Sequence, residues 1–242
     1  MKILYIDHHA ALPSSGGDCR AVQLAQGWQQ CGDEVTIVTA GYSHRRGKNL
    51  TVEKEMEEQQ LEGVTFFPLL SPDYDHGVGE YRKSVQSFLK KLYLNAPKLV
   101  ERYHPEIVIA ASGYPYDYFC AQRIAKLAHA KTVFELRETW PELQRELYPE
   151  DSRLNQCIAE YAMGYALRGA DTVVSFLQKG EDYCRQKELT PAHLATLPAP
   201  APPQASPQPL READAEAIRA LRERYPVIAA YAGHLNDRHL PE

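Results

Sequence analysis

The fold is decided by residues 2–39, KILYIDHHAALPSSGGDCRAVQLAQGWQQCGDEVTIVT. Residues 2–7 form a short apolar run with β-branched side chains, which is typical of a buried strand. A glycine-containing turn follows, and apolar residues then recur at helical spacing over residues 22–28, with Asp18 expected as the N-cap. Residues 34–39 form a second apolar run. Strand, turn, helix and strand make a βαβ unit, which predicts parallel pairing of the two strands.

The same alternation of strand-like and helical segments continues to residue 197. Further strands are predicted at residues 64–69, 107–111, 131–137, 171–175 and 193–197, with helices at residues 81–103, 152–168 and 179–187 and another that ends near Ala128. Pro97 is expected to kink or split the first of these helices. The charged residues 42–63 are expected to form a long loop. The pattern predicts an α/β fold with a doubly wound, parallel, Rossmann-like sheet.

The composition changes after residue 197. Prolines crowd into residues 198–210, which are therefore expected to form a semi-stiff linker. A charged helix is predicted at residues 212–224, followed by an apolar strand at residues 226–231. A lone strand is not stable by itself. This last strand is expected either to join the first domain or to begin a second one.

Bulk properties exclude several classes of protein. The net charge of −5 argues against nucleic acid as the main partner, because phosphate binding needs a basic surface. No run approaches the roughly 18 apolar residues of a membrane span. The five cysteines are scattered without metal-ligand or disulfide spacing, which favours a reducing, cytoplasmic location. No metal site is predicted, and no GxSxG turn supports a hydrolase.

The turn after the first strand is a candidate site for an anion. Ser15, Gly16 and Gly17 stand between a strand and a helix. Backbone N–H groups at a helix N-terminus attract phosphate, and glycines let the ligand approach. The turn matches neither GxGxxG nor a Walker loop, so nicotinamide or nucleoside triphosphate is not favoured. A simple helix start is the alternative.

Charged residues end the strand predicted at residues 131–137. Glu135 and Arg137 share one face of that strand, because side chains alternate along it. Charges at the carboxyl end of a parallel strand usually mark a ligand crevice. The alternative is that the two residues form an ion pair with each other.

Further polar and aromatic residues follow other strands at the same predicted edge. His8 and His9 come after the first strand, and Tyr114, Tyr116 and Asp117 come after the strand at residues 107–111. Aromatic rings beside a carboxylate suit the stacking and hydroxyl recognition of a sugar. Loop histidines and ordinary aromatic packing are the alternatives. The convergence of several polar clusters predicts a binding site at this edge.

A basic stretch lies in the predicted loop. Arg45, Arg46 and Lys48 are expected to be solvated, and contact with anionic lipid is a minor alternative. Peripheral contact with the inner membrane face is therefore left open.

Five runs of sequence resemble family 4 glycosyltransferases, particularly those with a WbuB-like N-terminal half. The runs are residues 16–39, PEIVIAAS at 105–112, ELRETWPE at 135–142, ADTVVS at 170–175 and YAG at 231–233. The resemblance implies a GT-B fold, in which an N-terminal domain binds the acceptor and a C-terminal domain binds the nucleotide-sugar. Residues 1–197 would be the acceptor-side domain and residues 211–242 the helix and first strand of a truncated donor-binding domain.

The resemblance also implies a function. The chain would be the N-terminal portion of a hexosyltransferase that moves a sugar from a nucleotide-sugar to a glycan or lipid-linked acceptor, and it would be inactive alone. Transfer would retain the anomeric configuration without metal or other cofactor. Gly16 and Gly17 would approach the donor phosphates, and Arg137 and Glu135 would be the catalytic candidates. The alternative is a non-catalytic domain of the same fold that binds a glycan or a protein.

Overall fold

The computed structural model describes residues 1–53, 57–74, 78–197, 212–225 and 227–228. The chain divides into two compact units, residues 1–200 and 201–242. The first unit contains one eight-stranded sheet, whose strands are β1 (Lys2–Ile6), β2 (Glu34–Ala40), β3 (Gln59–Leu61), β4 (Val64–Leu69), β5 (Ile107–Ala110), β6 (Lys131–Leu136), β7 (Thr172–Ser175) and β8 (Leu194–Thr196).

Seven α-helices of the described residues accompany this sheet. They are α1 (Arg20–Gln30), α2 (Val78–Leu94), α3 (Ala96–Tyr103), α4 (Asp117–Ala128), α5 (Trp140–Leu147), α6 (Arg153–Gly169) and α7 (Gly180–Gln186). A short 3₁₀ turn, Pro13–Ser15, precedes α1. The second unit contains α8 (Glu212–Arg224), at the position where the sequence predicts a helix.

The strand order is β3-β4-β2-β1-β5-β6-β7-β8, and every neighbouring pair is parallel except β3 with β4. The predicted doubly wound parallel sheet is therefore confirmed. Successive strands are added on one side of β1 up to β4, and the chain then crosses over to β5 on the other side. The carboxyl ends of β1 and β5 thus form the topological switch point, where open α/β sheets bind ligands.

Alternating side chains cover both faces of the sheet. Ile3 and Tyr5 of β1 pack with Val22 of α1 on one face, whereas Leu4 and Ile6 belong to the larger core with α2, α3, α4 and α6 on the other. Burial on both faces explains why the strands appear in the sequence as continuous apolar runs.

Three local predictions need correction. The segment predicted as a loop at residues 42–63 ends in a hairpin, because β3 pairs antiparallel with β4 across Glu62 and Gly63, both at positive φ. Helix α5 was not predicted, although Pro141 lies in its first turn, where proline is tolerated. Asp18 is not the N-cap of α1, since the cap position is Cys19.

Other predictions fare differently. The helix predicted at residues 81–103 is split into α2 and α3, and Pro97 lies in the first turn of α3 as expected. The proposed linker at residues 198–210 lies outside the described residues. So does most of the strand predicted at residues 226–231, of which Val227 and Ile228 are described and belong to no strand.

Candidate functional site

The candidate site is built on the carboxyl ends of β1, β5 and β6. The backbone after β1 is tied to the backbone after β5, because the N–H of His8 donates to Ser112 Oγ at 3.0 Å. The N–H of Ser112 donates in turn to Asp117 Oδ2, also at 3.0 Å. These bonds fix the two sides of the topological switch point relative to each other.

Arg137 connects the ends of all three strands. Its Nη1 donates to Asp7 Oδ2 at 3.1 Å and to the carbonyl oxygen of Ala111 at 2.6 Å, and its Nη2 pairs with Asp18. Burial lowers the pKa of Arg137, but the carboxylates of Asp7 and Asp18 outweigh it and hold the pKa above its ordinary value. Arg137 therefore stays charged and links the end of β6 to both ends of the loop that joins β1 to α1.

Glu135 lies in β6, two residues before Arg137 and beneath the start of α1. Its carboxylate accepts hydrogen bonds from Tyr5 Oη and Arg20 Nη2, each at 3.0 Å. The guanidinium of Arg20 also lies 4.2 Å from the ring centroid of Phe176. Burial raises the pKa of Glu135 to about 7. Glu135 and Arg137 share a face as predicted, but their ion-pair partners are other residues, so the alternative of a mutual pair is wrong.

The glycine turn is exposed at the same edge. Gly16 and Gly17 have φ of +67° and +116°. A Cβ at Gly17 would collide with the carbonyl oxygen of Arg45, whereas a Cβ at Gly16 would meet nothing within 4 Å. Gly17 is thus explained by the close approach of a neighbouring loop. Gly16 faces open space, and the hydroxyl of Ser15 is engaged locally with Leu12.

His8 and His9 lie in the turn that follows β1, and both side chains are buried. His8 Nδ1 lies 2.7 Å from Tyr114 Oη, and His9 Nδ1 lies 2.8 Å from Ser43 Oγ. Burial lowers the pKa of both imidazoles well below the usual range, which keeps them neutral. The Nε2 atoms of both rings are buried and have no hydrogen-bond partner within the described part of the chain.

The remaining predicted acceptor residues divide into two groups. Tyr114 and Tyr116 line a cavity of about 530 Å³ beside the switch point. Asp117 is buried at the start of α4 and does not line this cavity. Burial raises its pKa to about 7, and among the described residues its Oδ1 has no partner. Asp117 therefore supports the loop after β5 from within.

The basic loop contains a pair that the sequence did not reveal. Arg45 Nη1 lies 3.4 Å from Glu138 Oε1, and the carboxyl group of Glu138 lies against Gly113 after β5. Both side chains are partly exposed at the edge of the sheet. No local pattern indicates this pair, because its members are 93 residues apart.

Arg46 is neither solvated nor able to contact lipid, and both predictions for it are wrong. Its side chain is buried and donates to the carbonyl oxygens of Ala10 and Ala40 at 2.7 Å and of His8 at 3.1 Å. A guanidinium supplies several donors in a fixed geometry, so one residue satisfies three carbonyl groups from two backbone segments. Lys48 is exposed, as expected.

Within the described part of the chain, no group of three or more His, Cys, Asp or Glu side chains is arranged to hold a metal ion. No helix in this part has both the length and the apolar character needed to cross a bilayer.

Comparison with known proteins places this geometry in a family. The glycosyl transferase 4-like domain family matches residues 15–200. The chain belongs to this family. The match spans the glycine turn, β5, β6 and the loops that carry the site of this glycosyl transferase 4-like domain. No curated protein matches the chain.

Solved structures show the same fold. Sucrose-phosphate synthase from Thermosynechococcus elongatus is similar with a TM-score of 0.57 and 13% identity, over 81% of this chain and 47% of that one. UGT89C1 of Arabidopsis thaliana, complexed with quercetin, is similar with a TM-score of 0.52 and 12% identity, over 91% of this chain and 54% of that one. The chain thus spans about half the length of these proteins. Its sheet and helices are those of a GT-B glycosyltransferase domain.

Proposed function

We propose that the chain is the acceptor-side portion of a two-domain glycosyltransferase, close to the WbuB-like subgroup of family 4. Residues 1–197 are the acceptor-side domain, residues 198–210 a linker and residues 211–242 the start of the donor-binding domain. One observation carries the proposal: the exposed glycine turn, the Arg45–Glu138 pair and the cavity lined by Tyr114 all lie at one topological switch point. Membership of the glycosyl transferase 4-like family supports the reaction type.

The proposed reaction moves a hexosyl group with retention of configuration and without a bound metal. The bond between the anomeric carbon and the donor phosphate oxygen breaks, and a bond to the acceptor oxygen forms. The acceptor proton leaves with the nucleoside diphosphate. The protein would contribute positioning and electrostatic stabilisation of the departing diphosphate. The exposed backbone at Gly16 and the guanidinium of Arg45 are suited to that charge.

Arg137 and Glu135 act in this proposal through the loops that they hold. Arg137 binds Asp7 at the beginning and Asp18 at the end of the loop that carries the glycine turn. Glu135 holds Arg20 at the first residue of α1. Both are therefore positioning residues, and the buried His8 and His9 support Tyr114 and the loop at Ser43 in the same way.

The test compares the 242-residue chain with the protein encoded when the gene is read past the codon for Glu242. The shorter chain should be inactive, because the remaining residues that bind the donor would lie in the second domain. The longer protein should release nucleoside diphosphate from a nucleotide-sugar when a glycan or lipid-linked acceptor is added. A longer protein without donor-dependent transfer or donor hydrolysis, or a stop codon directly after Glu242, would contradict the proposal.

A non-catalytic binding domain is the second candidate. The observation that favours it is that Glu135 and Arg137, the predicted catalytic residues, are engaged with intramolecular partners. Such a domain would bind a saccharide or a partner protein but no nucleotide. Calorimetric titration of the longest encoded protein with nucleoside diphosphates separates the two candidates, since tight binding supports the enzyme.

A further inference from the structure

The cavity beside the switch point is a long apolar groove. It lies between α2 and the start of α6, with α4 as its floor, and its lining includes Leu89, Phe119 and Trp140. Its volume of about 530 Å³ is within the range of roughly 300–1,000 Å³ that is usual for small-molecule sites. A concave site of this size is suited to a ligand rather than to the flat face of another protein.

The inner end of the groove is continuous with the candidate site. Tyr81 and Tyr114 line this end. Tyr114 Oη is bonded to His8, and the ring of Tyr81 is stacked on His9 with centroids 6.2 Å apart. His8 and His9 directly follow β1 at the sheet edge. A ligand that fills the groove therefore presents its inner end at the place proposed for sugar transfer.

The outer end of the groove opens among exposed apolar side chains. Tyr93 and Leu94 of α2 are 45% and 63% exposed at this end, although both line the groove. Ile158 near the start of α6 also lines the groove and is 46% exposed. Lys90 lines it as well, and the guanidinium of Arg123 lies 4.3 Å from the ring centroid of Tyr93. Aromatic and apolar residues beside basic ones are typical of a surface that contacts a lipid interface.

The length of the groove fits an extended hydrocarbon chain. Tyr81 and Leu94 mark its two ends along α2. At about 1.5 Å per helical residue this separation is roughly 20 Å. Such a groove connects a polar reaction site at one end with a lipid-like surface at the other.

We propose that this groove binds the single hydrocarbon chain of an amphiphilic acceptor, with the polar head group at Tyr114 and the far end of the chain at Tyr93 and Leu94. The identification of the ligand as an acceptor rests on the proposed function, whereas the binding of a hydrocarbon chain does not. The acceptor is therefore lipid-linked rather than a free glycan.

The test uses alkyl glucosides with eight, ten and twelve carbons as probes, below their micelle concentrations. Binding to the 242-residue chain is followed through the fluorescence of Trp140 in the groove and checked by calorimetry. Each additional pair of methylene groups should tighten binding by about tenfold, because each buried methylene contributes a constant free energy. The double variant Leu94→Glu/Ile158→Glu should lose at least tenfold in affinity for the longest probe.

The matched control is Leu127→Glu, because Leu127 is 45% exposed on α4 and does not line the groove. This variant should bind like the unmodified chain, and thermal unfolding confirms that all variants are folded. Binding that does not depend on chain length, or equal loss in the control, would overturn the proposal. In the transfer assay, equal use of short-chain and long-chain acceptors would also contradict the binding of a hydrocarbon chain in the groove. Transfer to no acceptor at all would instead contradict the proposed function.

Discussion

Replacement of Arg137 by methionine tests whether this residue holds the loops of the candidate site in position. The substitution removes the guanidinium and leaves Asp7, which is 1% exposed, without its ion-pair partner. Loss of one member of a buried ion pair typically costs about 3–5 kcal/mol. Since domains of this size are stable by about 5–15 kcal/mol, Arg137→Met should remove a large part of the free energy of unfolding.

The loss should depend on pH in a defined direction. Burial already raises the pKa of Asp7, and removal of Arg137 should raise it further. The unpaired carboxylate then takes up a proton as the pH falls, so the destabilisation should be smaller at pH 5 than at pH 8. The double variant Arg137→Met/Asp7→Asn should lose less than the single variant, because the fully buried uncompensated charge is then absent and only the partly exposed Asp18 lacks its partner.

Chemical denaturation of the 242-residue chain measures these differences. Lys131→Met is the matched control on the same strand, because Lys131 pairs with Asp171 at 2.7 Å but is 77% exposed. An exposed pair of this kind contributes about 0–1 kcal/mol. If Arg137→Met and Lys131→Met cost the same small amount, Arg137 does not hold the site, and the positioning role is refuted.

Three further predictions concern the glycine turn and the buried titratable groups. Gly17→Ala should destabilise by roughly 2–4 kcal/mol through collision and positive φ, whereas Gly16→Ala, which has open space, should cost about 1 kcal/mol in the same denaturation assay. Burial raises the pKa of Glu135 to about 7, so the protonated side chain stabilises the folded state at low pH. This stabilisation is lost as the pH rises from 4.5 towards 7. Across that interval the free energy of unfolding should fall less steeply with pH for Glu135→Gln than for the unmodified chain. An unchanged slope would contradict the assigned burial of Glu135. His9 has a lowered pKa, so the unfolded chain takes up its proton first and stability is lost below pH 6.5. His9→Gln should reduce this acid sensitivity, which a comparison of thermal unfolding at pH 6.5 and pH 5 checks.

The parallel sheet could be predicted because its strands are buried on both faces and therefore appear as apolar runs. Strand β3 could not be predicted in this way. It is a short edge strand of mostly polar residues, Gln59–Leu61, and its pairing depends on the turn at Glu62 and Gly63. Helix α5 is only eight residues long, Trp140–Leu147, which is shorter than the window of about 11–18 residues over which helical periodicity is recognised.

For the candidate site, the alternation of side chains along a strand was the only basis for predicting which residues share a face. Alternation placed Glu135 and Arg137 on one face, and this is where the structure has them. Their partners could not be found from local patterns, because Arg20 and Asp7 are separated from them by 115 and 130 residues. The position of Arg46 was predicted wrongly for a related reason. A charged loop residue gives no sign in the sequence that backbone carbonyl groups will surround it.

The long separation between Asp7 and Arg137 has a consequence for the order in which the protein forms during synthesis. Asp7 leaves the ribosome 130 residues before Arg137. At about 5–20 residues per second, this interval is on the order of 10 s. During that time β1 and β2 can be present, but the carboxylates of Asp7 and Asp18 have no guanidinium to neutralise them. The sheet edge that carries the candidate site is therefore complete only after β6 and Arg137 have been synthesised. In shorter nascent chains the carboxylates of Asp7 and Asp18 lack their ion-pair partner.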